Sequence, residues 1–97
     1  MKAELYKHEK LVEKFKDKGH VVPQRLTVMD QAVNIANIIK TTSGQYAEFT
    51  FIIGNSDIRL ITSGIMSELN RTNYSYVFLA ATNEFVVDNT KYKFKSQ

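Results

Sequence analysis

The sequence has no cysteine, no tryptophan, a single proline and four glycines in 97 residues. The missing cysteine excludes disulfides, thiolate zinc sites, iron–sulfur clusters and thiol catalysis together. Only two histidines occur, His8 and His20, with neither H-x-H nor H-x-x-x-H spacing. A histidine-rich metal site therefore has no starting pair. The glycines form no G-x-G-x-x-G and no G-x-x-x-x-G-K run, so they cradle no nucleotide phosphate. No apolar stretch is long enough to span a bilayer, and no apolar h-region follows Lys2, as a signal peptide would require. The expectation is one cytoplasmic domain over residues 1–97, with no cofactor, no metal and no membrane partner. A chain of this size buries roughly 60–70% of its extended surface on folding, enough for one core.

Neither sign of charge dominates. The formal net charge is +3, but its distribution matters more than its sum. Residues 1–20 hold six lysines against four carboxylates, and residues 21–90 hold four cations against six carboxylates. Lys91, Lys93 and Lys95 then make the last seven residues basic. A mildly acidic body thus lies between two basic ends. Arginine, the better bidentate reader of guanine and phosphate, occurs only as Arg25, Arg59 and Arg71.

Hydrophobic spacing supplies the elements. Leu5, His8, Leu11, Val12 and Phe15 recur at helical steps, predicting a surface helix over 2–18 closed by Gly19. Residues 20–26 read as a connector that leaves His20 in a loop, because Pro23 disfavours helix at Val22, with Val21 and Val22 able to make a short extended piece. Residues 27–40 read as a helix with Thr27 as N-cap, Asp30 at N3 and Gly44 in the turn beyond. Its apolar residues run around most of the circumference, predicting a helix buried on most sides. Residues 45–53 alternate as a strand, with Ala47, Phe49, Phe51 and Ile53 inward. Residues 57–70 admit one helix, or a strand over 58–62 followed by a short helix capped by Ser63. The β-branched density favours the second, and Gly64 in mid-helix would cost roughly 1 kcal/mol against alanine. Tyr74–Ala81, apolar on both faces, reads as the central strand of the sheet. Glu84–Val87 and Thr90–Lys95 complete a meander through turns at Thr82-Asn83 and Asp88-Asn89. The fold class expected is α+β: two N-terminal helices, then an antiparallel sheet of four or five strands with a short inserted helix.

Candidate chemistry is thin. The carboxylates of residues 21–90 stand singly on different elements, so no spacing builds a catalytic pair. Thr62-Ser63-Gly64, at an expected helix start, offers hydroxyls and N–H groups to an anion, as any capped helix does. The most distinctive segment is Lys91-Tyr92-Lys93-Phe94-Lys95. Basic and aromatic groups interleaved in this way suggest single-stranded nucleic acid. A strand, however, sends the lysines to one face and the aromatics to the other. An edge or solvent-facing strand, with Tyr92 and Phe94 in the core and the lysines outside to discourage edge pairing, explains the same pattern.

The reading that follows is a small non-enzymatic regulator or inhibitor. Its partner is a macromolecule, foremost a host or other partner protein. Small lysine- and asparagine-bearing proteins of this kind are associated compositionally with phages and plasmids. The alternative is a nucleic-acid or anionic-nucleotide binder using Lys91, Lys93 and Lys95 with Arg59 and Arg71. Exposed sheet edges also make a homodimer an open option.

Overall fold

A computed structural model of the protein describes residues 17–54 and 57–96. It holds β1 (Lys18–Val21), α1 (Val28–Thr42), β2 (Glu48–Ile53), α2 (Ile58–Arg71), β3 (Val77–Leu79), β4 (Glu84–Val87) and β5 (Thr90–Ser96). The helix expected over 2–18 falls mostly outside the described residues, as does His8. Lys18 and Gly19, taken as its last residue and its cap, instead lie in β1.

Local chemistry sets each boundary. Thr27 caps α1, its hydroxyl accepting from the Asp30 N–H at 3.1 Å. Ala32, Ile35, Ala36 and Ile39 form its buried stripe. Gly44, at φ +83°, turns the chain out of the helix in a conformation that costs glycine little. β2 starts at Glu48 rather than Gln45, leaving Ala47 exposed ahead of it instead of inward; within the strand the alternation holds, with Phe49, Phe51 and Ile53 buried and Glu48, Thr50 and Ile52 half-buried.

Residues 58–71 form one helix, not a strand followed by a short helix. Asp57 caps it, accepting from the Arg59 N–H at 2.9 Å. Ile61, Ile65 and Leu69 then stack at four-residue steps on the buried face. The β-branched residues misled because propensity is weak beside burial of a continuous apolar stripe. Ser63 is accordingly an exposed mid-helix residue, and no helix start exists at Thr62-Ser63-Gly64 to receive an anion.

The five strands lie in the order β1-β2-β5-β4-β3. β1 pairs parallel with β2, and β2 parallel with β5. β4 is antiparallel to both β5 and β3. The fold is therefore α+β with a mixed sheet, and its two described helices sit between strands rather than ahead of them. The start of the 20–26 connector is extended: Val21 pairs with Ile52, the Val22 N–H reaches the Ile52 carbonyl at 2.9 Å, and His20 lies in the strand rather than in a loop. Four polar or exposed residues made β1 unreadable by periodicity; only β2 alongside completes its hydrogen bonds. The most apolar segment, 74–81, supplies just β3, at the edge, whereas β5 with its three lysines is the middle strand. The meander β3-β4-β5 forms as expected, turning at Asp88-Asn89, both with positive φ.

Handedness explains why both described helices cover the same face of the sheet. β1-α1-β2 and β2-α2-β3 both connect parallel strands, and both step the same way across the sheet. Right-handed crossovers therefore place both helices on one face. That face holds the core: Phe49, Phe51, Ile53, Phe85, Val87 and Tyr92 from the strands meet Ile35, Ile39, Ile61, Ile65 and Leu69 from the helices. Each such side chain contributes roughly 1.5–3 kcal/mol when fully buried.

Candidate functional site

The open sheet face carries the lysine row. Residues paired in register share a face, so Lys91 lies beside Glu48, Lys93 beside Thr50 and Lys95 beside Ile52. Lys93 Nζ stands 3.2 Å from Glu48 Oε1, and Lys91 Nζ stands 3.9 Å from Glu84 Oε1. Two of the three cations are thus neutralised from the flanking strands. Only Lys95, exposed near the chain's end, has no ion pair among the described residues.

The aromatics lie on the opposite side. Tyr92 and Phe94 join Phe49 and Phe51 in a ladder under the helices, with ring centroids 5.6–5.9 Å apart across β2 and β5. No described strand residue on the open face is aromatic. Among the described strands, the lysine side therefore lacks the stacking half of a single-strand nucleic-acid platform. The idea of a lysine-guarded edge is also corrected: β5 is central, and its lysines sit over the middle of the sheet.

Arg59 and Arg71 lie elsewhere. Both are on α2, in the other layer, twelve residues apart and so separated by roughly 18 Å at 1.5 Å per residue. Arg71 donates through two guanidinium nitrogens to the Glu68 carboxylate. That hydrogen bonding holds Glu68 below its ordinary pKa and Arg71 above its own. Five residues expected at one anionic site are therefore a partly neutralised row, an exposed helix-start arginine and a paired helix-end arginine.

His20 is not in a loop. It lies in β1 on the helix side, edge-on to Phe51 at 6.2 Å, with Nε2 buried and unpartnered. Asn34 Oδ1 on α1 is likewise buried without a partner. Among the described residues no three His, Asp or Glu side chains gather closely enough to hold a metal ion. No described helix is long and apolar enough to cross a membrane.

Two hollows mark the described surface. One, of about 220 Å³, lies where β2 and β5 end and α2 begins, lined by Ile53, Ile58, Thr82, Asn83, Phe94 and Ser96. The second, of about 410 Å³, is a groove between the helices lined by Val28, Met29, Leu60, Ser63, Gly64 and Ser67. Among the described residues, neither lining contains a carboxylate, a histidine or a cation.

The groove is the feature that sequence reasoning missed. The apolar circumference of α1 was read as burial on most sides. Yet Met29 is 68% exposed and Val33 38%, and across the groove Leu60 is 58% exposed. The signal was present: α1 carries more apolar circumference than one sheet face and one neighbouring helix can cover. The chain matches no protein-family model, no curated protein and no solved structure at a significant level.

Proposed function

We propose that this is a small non-enzymatic binding protein of the cytoplasm that regulates or inhibits another protein through the α1–α2 surface. The observation that carries this reading is the pair Met29 and Leu60, exposed on either side of an uncharged groove floored by Gly64. Interface centres are depleted in charge and enriched in methionine and other adaptable apolar groups. The fitting partner presents an apolar, uncharged segment, such as one face of a helix laid between α1 and α2. The competing nucleic-acid reading draws little support from a lysine row with two ion pairs and no aromatic neighbour on its face.

A pull-down series separates the two. Met29→Glu with Leu60→Glu abolishes capture of the protein partner, while charge reversal at Lys91, Lys93 and Lys95 leaves it intact. The opposite pattern, with capture that weakens steeply with salt, transfers the function to the lysine face.

A further inference from the structure

Edge strands usually carry a device against pairing with another chain: a lysine, a proline, a bulge or a cover. β1, at one end of the sheet, has Lys18 and His20, with Pro23 just beyond. β3, at the other end, carries no charge, no proline and no bulge among its own residues. It lies in the longest uncharged run of the sequence, the twelve residues between Arg71 and Glu84. Within it Val77 is 57% exposed and Leu79 37%, and both point to the open face with Val86 and Glu84 of β4.

We propose that β3 pairs antiparallel with β3 of a second copy, joining two five-stranded sheets into one across a two-fold axis. A two-fold contact presents the same strand to itself, so any charge on it meets a like charge. Of the two edges among the described strands, β3 satisfies this condition, while the charge of Lys18 penalises a β1–β1 pair. With the axis at Phe78, Val77 of one copy stands opposite Leu79 of the other. The two pairs so formed bury, on the open face, the apolar groups now exposed there. This surface is separate from the α1–α2 groove, so a homodimer and a foreign partner are compatible.

The natural absence of cysteine makes the register directly testable. Val77→Cys and Leu79→Cys chains are prepared separately, then mixed and oxidised. Directly opposite strand residues lie about 4.5–5.5 Å apart, within disulfide reach. The mixture forms a covalent dimer joining one chain of each kind, whereas neither variant alone does so efficiently. Light scattering of the unmodified protein rises from one to two chain masses with concentration. Val77→Lys raises the dissociation constant by about tenfold or more. Val21→Lys, at a comparably exposed position on the other edge, leaves it unchanged. A single-chain mass up to the solubility limit overturns the proposal. So does cross-linking that is no better in the mixture, a Val21→Lys effect equal to that of Val77→Lys, or a mass that climbs past two chains.

Discussion

Gly64 of α2 faces Ala32 of α1 so closely that a Cβ at position 64 would stand 2.7 Å from the Ala32 Cβ. The glycine that weighed against a helix over 58–71 is therefore what lets the two helices meet. Its intrinsic penalty of roughly 1 kcal/mol relative to alanine is offset by the packing it permits. Gly64→Ala gains that propensity but forces overpacking that costs roughly 1–3 kcal/mol. The expected outcome is a lower melting temperature. In an Ala32→Gly background the same substitution is less damaging, and a double-mutant cycle by thermal unfolding reads the coupling.

Tyr92 predicts an alkaline limit to stability. Its ring is buried, and its hydroxyl lies 2.8 Å from Thr42 Oγ1 and 3.3 Å from the Ile39 carbonyl. Burial pushes its pKa up to about 12 from the ordinary 10, so the folded state holds the phenolic proton more tightly than the unfolded chain. The resulting stability is fully present below pH 10 and is lost as pH rises through 12. Tyr92→Phe loses about 1 kcal/mol at neutral pH through the missing hydrogen bonds. It also flattens the decline above pH 10, as followed by urea unfolding at each pH.

Thr90 ties the start of β5 to the α1–β2 turn. It is fully buried, and its Oγ1 accepts from the Gly44 N–H at 2.8 Å. Thr90→Val keeps the shape and the β-branching but leaves that N–H unpaired. A loss of about 1–3 kcal/mol is expected, with Thr90→Ser retaining more stability than Thr90→Val. Equilibrium denaturation of the two variants checks the order.

The carboxylates on the open face mask the lysine row. Exposed pairs such as Lys93–Glu48 contribute only about 0–1 kcal/mol to folding, so removing them leaves the fold intact. Glu48→Gln with Glu84→Gln uncovers salt-sensitive binding of a labelled oligonucleotide, while the unmodified protein binds weakly. Fluorescence anisotropy over a salt series measures both. Tight, steeply salt-dependent binding by the unmodified protein contradicts the masking.

The sequence by itself determined what depends on neighbours within a few residues. Thr27 and Asp30 place the start of α1, alternation in 48–53 places β2, and Asp88-Asn89 joins β4 to β5. The opposite sides taken by Tyr92 with Phe94 and by the three lysines follow from the two-residue period alone. Tertiary structure decided what depends on distant partners. Gly64 reads as a helix breaker until Ala32 lies opposite it. Lys18–Val21 has no periodic signal until β2 supplies its hydrogen bonds. The charge of Lys91 and Lys93 reads as a binding face until Glu84 and Glu48 arrive from the flanking strands. The order of strands was hidden for the same reason: apolarity marks what is buried or paired, and the most apolar strand segment lies at an edge. Right-handed crossovers, a property of connected elements rather than of residues, put both described helices on one side of the sheet and neither on the other.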